Sequence, residues 1–240
     1  MSTPYCLLSN PPYYRPTQVR PFTNHLANLL SVIYRDPPRP VKTEWRAMLR
    51  EEVRSVRGSE RRVMYGPVID LAVGPFATGQ RYVSEYDRMA EQSVAMLASL
   101  LRLYRHNLRR FGSNLPAPTL RQLCTLNRNS RCFLAVEVEK GNANMKYLTG
   151  STVHAAALGR VGVLVAWDEG RARDLLSVRE YFAALKSYGK NITDPDNLLV
   201  VTRCQIKRTL ERIVRDTDGR PAPDDFIVAA SGLTSRGGIS

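Results

Sequence analysis

The chain has 240 residues, 43% of them hydrophobic and 24% charged, with 35 Lys and Arg against 22 Asp and Glu for a formal charge of +13. That composition fits a soluble globular protein, one large domain or a domain with a small extension, able to bury a core without disulfide or metal staples. Cys6, Cys124, Cys132 and Cys204 form no CxxC or Cys/His cluster, and no apolar run nears the ~20 residues of a membrane span. A zinc site, a secreted disulfide framework, a signal peptide and a membrane protein are therefore not expected, and a reducing cytosol is the default setting.

Residues 1–17, with prolines at 4, 11, 12 and 16, read as an irregular arm. A helix is expected over 18–36, ended by Pro37, Pro38 and Pro40. A second helix is expected from Thr43 to Gly58, because Trp45, Met48, Leu49, Val53 and Val56 recur at helical spacing. Two strands, 62–65 and 68–73, are separated by the turn signal Gly66-Pro67. One long helix over 84–110 follows, then a Pro-containing stretch with a short helix near Leu120. From there the pattern alternates: strand 132–139, helix 145–158, strand 161–167, helix 170–188, strand 198–201 and helix 206–216. Such alternation implies parallel crossovers. The fold class expected is α/β, a mixed central sheet flanked by helices, with an arm and helix over 1–41, the main domain over 42–216 and a partly mobile extension over 217–240.

The basic excess is almost all arginine, 29 against 6 lysines. Arginine's planar fork suits bidentate contact with phosphate, although a GC-rich genome gives the same bias. Distribution favours polyanion binding. No acid occurs from Gln92 to Val136, where Arg102, Arg105, Arg109, Arg110, Arg121, Arg128 and Arg131 all fall, whereas a solvated face normally mixes signs.

Against this background, three carboxylates sit in strands that otherwise read as buried. Asp70 interrupts Val68-Ile69-Asp70-Leu71-Ala72-Val73, and Glu137 and Glu139 close Phe133-Leu134-Ala135-Val136-Glu137-Val138-Glu139. Asp is depleted from strands and costly to bury ionised. Residues two apart share a strand face, so Glu137 and Glu139 repel unless a cation holds them, and Mg²⁺ takes a few carboxylates together with water and substrate phosphate. The plainer alternative places Glu137 and Glu139 on the solvated face of an edge strand and Asp70 at a turn or beside an arginine.

The order of a helix, hairpin strands carrying Pro67-Val68-Ile69-Asp70, a strand carrying Glu137-Val138-Glu139-Lys140, then a helix and an apolar strand resembles the PD-(D/E)XK nuclease superfamily, across roughly residues 42–201. The resemblance implies a restriction-endonuclease-like core and a Mg²⁺-dependent endodeoxyribonuclease, a type II restriction-like enzyme, with Mn²⁺ as a substitute metal. Asp70, Glu137 and the carbonyl of Val138 would hold the metal. Glu139 stands where the family usually has lysine, and would hold or activate the attacking water. That departure leaves the lysine open: Lys140 reaches the metal face only through a bulge, which Gly141 permits, and Lys146 offers a cation from the next helix. Glu52 interrupts its helical stripe and matches a glutamate that several family members contribute, though a stripe-edge Glu paired with Arg fits too. Glu44 is assigned to the helix dipole.

Other signals are weaker. Gly159-Arg160-Val161-Gly162 precedes a strand, unlike a phosphate loop, and reads as a tight helix-to-strand connection. His154 reads as a helix histidine, and Ser151 and Thr152 have no triad partners. Expected partners are double-stranded DNA and, from duplex symmetry, a second copy of the chain, in a cytoplasmic, DNA-associated setting. The competing expectation is a catalytically inactive DNA-binding or adaptor protein on the same scaffold.

Overall fold

The computed structural model describes residues 18–47, 66–76, 82–141, 144–190 and 194–219. The proline-rich arm, the expected strand 62–65, the rest of the helix expected up to Gly58 including Glu52, and the Gly/Ser-rich tail lie outside the described residues.

Five strands form one open sheet in the order β1-β2-β3-β4-β5: β1 Val41–Arg46, β2 Val68–Val73, β3 Cys132–Glu139, β4 Gly159–Ala166 and β5 Leu198–Thr202. The first three strands pair antiparallel and the last three parallel. The helices are α1 Val19–Ile33, α2 Val83–Gln92, α3 Val94–Arg110, α4 Leu120–Thr125, α5 Met145–Leu158, α6 Glu169–Ser187 and α7 Arg203–Gly219, with a 3₁₀ turn at Pro195–Asn197. The chain is therefore α/β with a mixed sheet and flanking helices. Among the described residues no helix is long and apolar enough to cross a membrane.

Helices cover both faces of the sheet, which is why β4 is buried throughout and β3 at every residue but its last. On one face α5 approaches closely: a Cβ at Gly162 would lie 2.8 Å from the carbonyl oxygen of Ala155, so the small residues of α5 meet a strand that cannot carry a side chain there. On the other face α1, α3 and α7 pack together. Trp167, of opposite parity to Gly162, meets Phe22 of α1 edge-on at 5.6 Å. Phe22, Leu26 and Leu30 of α1 belong to the same core as Leu71, Phe133 and Val163, so this helix is packed into the body of the protein.

Helix α5 runs straight into β4, with Gly159 as both helix stop and first strand residue. Its last carbonyls would be orphaned in the interior. Two asparagines take them: the Nδ2 groups of Asn127 and Asn197 both donate to the carbonyls of Ala156 and Gly159, at 2.8–3.0 Å.

Three expectations need correction. The helix expected from Thr43 is instead strand β1 in its described part, because Val41, Thr43 and Trp45 pair with Val73, Leu71 and Ile69 of β2. Sheet pairing at an edge, with Lys42, Thr43 and Glu44 exposed and Trp45 buried, outweighs the local helical spacing. The single helix expected over 84–110 breaks at Ser93, which is buried and bonds through its hydroxyl to the Tyr34 hydroxyl at 2.7 Å. Finally, Cys204 at the start of α7 is disulfide-bonded, while Cys124 and Cys132 are buried free thiols.

Candidate functional site

The β2–β3 ladder ends at Leu71 opposite Val136. One step further the strands separate, and the positions facing each other are Asp70 and Glu137. Their carboxylates fill the opening. Asp70 Oδ2 accepts the Val138 N–H at 2.7 Å, and Glu137 Oε2 accepts the Asp70 N–H at 3.4 Å. Each acid thus accepts a backbone N–H at the point where the ladder stops.

Glu137 is only 5% exposed. Burial first, and then the charge of Asp70, hold its proton well above the usual carboxylate range. Burial also raises Asp70, opposed by the Val138 N–H and by a hydrogen bond with Glu137, and reinforced by the charge of Glu44. That mutual bond raises Glu137 and lowers Asp70, so the pair shares a proton that Glu137 keeps. Among the described residues no Lys or Arg forms an ion pair with either acid.

Glu139 lies on the same face, at the end of β3, half-buried. Burial raises it, while a hydrogen bond from the Ser151 hydroxyl of α5 and the charge of Arg171 lower it. Arg171 is held in the first turn of α6, paired with Asp174 at 3.1 Å. Among the described residues no three His, Cys, Asp or Glu side chains gather closely enough to enclose a metal ion. The site is a pair of hard oxygen donors with a third acid beside it, a set that fits Mg²⁺ completed by water and phosphate.

The other candidates are spread out. Lys140 lies over the Trp167 ring at 5.4 Å, on the face opposite Glu137 and Glu139, as the parity of a regular strand requires. Lys146 is exposed in the first turn of α5, before Ser151. His154 is half-buried on the same helix, and burial lowers its affinity for a proton.

The arginines do not form one surface. Arg102 and Arg110 face a cleft beside α7 at the end of the sheet where the acids lie, Arg110 paired with Glu169 at 2.5 Å. Arg105 donates to the Pro118 carbonyl at 3.2 Å and Arg109 is exposed. Arg121, Arg128 and Arg131 belong to α4 and the approach to β3, at the far end of that strand from Glu139. Part of the arginine excess is internal: Arg160 and Arg179 are buried, pairing with Asp87 and Asp196.

Three residues gain a place that sequence reasoning missed. Glu44 stands in β1 across from Asp70, within a register that pairs Thr43 with Leu71 and Trp45 with Ile69. Its φ of 48° is the sole positive value among described non-glycine residues. Ser151 and Arg171 reach Glu139 from two helices. Only the strand pairing could have exposed Glu44, and nothing local marks the other two.

Comparison of the chain with protein-family models, with curated proteins and with solved structures returned no match in any of the three.

Proposed function

We propose that this chain is a metal-dependent endonuclease that hydrolyses DNA phosphodiester bonds, in the manner of a type II restriction enzyme, acting on duplex DNA as a homodimer. The observation that carries the reading is the Asp70–Glu137 pair: two carboxylates at a split between strands, one of them almost fully buried, with no basic partner among the described residues. No arginine or lysine among the described residues neutralises the pair, so its charge is held down by a proton that a bound cation could replace. The element order also supports it. Asp70 on β2, Glu137 and Glu139 on its sheet neighbour β3, then α5 and the parallel strand β4 keep the later part of the order that the PD-(D/E)XK resemblance asks for, although the helix expected from Thr43 is strand β1.

In this reading Asp70 and Glu137, with the Val138 carbonyl, would hold Mg²⁺ or Mn²⁺, which when bound supplies a hydroxide nucleophile and neutralises charge on the phosphate. Glu139 receives the proton of the attacking water. Its raised affinity for protons suits that work, and the Ser151 hydroxyl fixes the carboxylate that receives it. Arg171 supplies positive charge felt at Glu139.

One observation favours the second reading, an inactive DNA-binding protein on the same scaffold: the absence, among the described residues, of three donors gathered for a metal. Supercoiled plasmid incubated with Mg²⁺, Mn²⁺ or EDTA, beside Asp70→Ala, separates the two. Metal-dependent nicking or linearisation lost in the variant supports the nuclease. Intact plasmid in every lane, with a salt-sensitive gel shift, selects the silent binder.

A further inference from the structure

A basic cleft lies on the other face of the sheet from the carboxylates. Helices α3 and α7 pack against each other, and between them opens a cleft of about 1390 Å³. Two helical stripes form its walls. Arg102, His106 and Arg110 recur at every fourth residue of α3, and Arg208, Arg212 and Arg215 follow the same face of α7. Arg203 closes the end nearest the sheet.

Its acids are already engaged. Glu211 pairs with His25 and Lys207, Glu169 pairs with Arg110, and Asp168 caps α6 by accepting the Arg171 N–H at 2.9 Å. Among the described residues no carboxylate forms an ion pair with Arg102, Arg212 or Arg215, and all three are exposed. Arg212 is steadied by the Ser99 hydroxyl at 2.9 Å. The cleft therefore presents a net positive lining, with the exposed side chains of Arg102, Arg212 and Arg215 ion-paired to no carboxylate among the described residues.

Size and surroundings narrow the ligand. The volume exceeds the roughly 300–1,000 Å³ of a small-molecule pocket. The cleft also adjoins the acids around the tip of the sheet. The Trp167 amide donates to the Glu139 carbonyl at 2.9 Å, and the Trp167 ring carries Lys140 at 5.4 Å and Arg203 at 4.6 Å. A cationic rim thus leads from the end of β3 to the mouth of the cleft.

We propose that the α3–α7 cleft binds a polynucleotide strand by its phosphate backbone, holding it across the end of the sheet from the carboxylates. The inference rests on the nuclease reading for its purpose, and the binding itself is tested separately. The full chain in EDTA is titrated into fluorescein-labelled oligo(dT) and followed by anisotropy at several salt concentrations. Replacing Arg102, Arg212 and Arg215 together by Ala should weaken binding at least about tenfold and reduce the salt slope by about 2, at ~0.7 per phosphate contact on a single strand. The triple Lys variant should keep most of that slope, which excludes loss of folding as the cause. Unchanged affinity and slope in the triple Ala variant overturn the proposal, as does tighter binding of ATP or tripolyphosphate than of the oligonucleotide. Arginine-dependent binding without plasmid cleavage leaves the cleft standing and removes the nuclease. Asp70-dependent cleavage with oligo(dT) binding indifferent to the arginines does the reverse.

Discussion

Asp70 accepts the backbone N–H of Val138 at 2.7 Å, one residue beyond the last pair of the β2–β3 ladder. The contact gives Asp70 a structural task as well as the proposed ligand role, and two substitutions separate them. Asp70→Asn keeps an oxygen for Val138, whereas Asp70→Ala strands a half-buried donor, at about 1–3 kcal/mol. Both should abolish metal-dependent cleavage while retaining DNA binding. Chemical denaturation should find the Ala variant less stable than the Asn variant by that amount. Equal stability would show that the hydrogen bond contributes little, and cleavage by either variant would end the proposed role.

Asp70, Glu137 and Glu139 all hold protons more tightly in the folded chain than ordinary carboxyls do, with burial the first cause for each. The unfolded chain therefore releases these protons at lower pH than the folded chain does. Their contribution is fully favourable below the ordinary carboxylate range and is lost as pH rises through the raised folded values. Thermal melts without divalent metal should show this loss on going from acid toward neutral pH. Glu137→Gln should flatten the pH dependence and raise the Tm at its alkaline side. Mg²⁺ should restore stability to wild type there, by about 2.7 kcal/mol at a hundred times its Kd, and do little for the variant. A wild-type melt indifferent to Mg²⁺ would argue against metal at the pair.

Much of this arrangement was legible in the sequence because strands with a single buried face, or none exposed, advertise themselves. Val68–Val73 and Cys132–Glu139 are bounded as their apolar runs suggest, and the intruding acids stand out against them. What failed was non-local. Trp45 shares helical spacing with Met48 and Leu49, so its pairing with Ile69 was hidden, and with it the placement of Glu44 opposite Asp70. Ser93 breaks a helix through a bond to Tyr34, 59 residues earlier, and no local residue announces the break.

Glu44 adopts φ 48°, in the left-handed region, on an exposed edge strand beside Asp70. A non-glycine residue pays about 1–2 kcal/mol there, so Glu44→Gly should stabilise the chain by roughly 1 kcal/mol after the entropy glycine loses. It also removes a charge that raises Asp70. Denaturation midpoints compare it with Glu44→Ala, which removes the charge but keeps the strain. If Ala stabilises as much as Gly, the effect is electrostatic and the backbone carries no strain.

Ser151 acts on Glu139 by donating to its ionised carboxylate. Removing that donor in Ser151→Ala raises the proton affinity of Glu139 further. If Glu139 is the base, the acidic limb of the kcat/KM profile should move to higher pH while the rate at the alkaline plateau changes little. Ser151→Thr, which keeps a hydroxyl, should restore the limb. A uniform fall in rate without movement of the limb would make Ser151 a packing residue only.

The junction between α5 and β4 sets where Glu139 and Ser151 meet, and it depends on two asparagines far apart in sequence. Asn127 and Asn197 both donate to Ala156 O and Gly159 O, so either one alone leaves each carbonyl a partner. Asn127→Ala and Asn197→Ala should therefore each cost about 1 kcal/mol, the value of an ordinary hydrogen bond. Together they strand both acceptors at the helix end. The double variant should lose more than the sum of the singles, by about 0.5–3 kcal/mol in a double-mutant cycle. Strict additivity would mean that water reaches the junction and replaces the second donor.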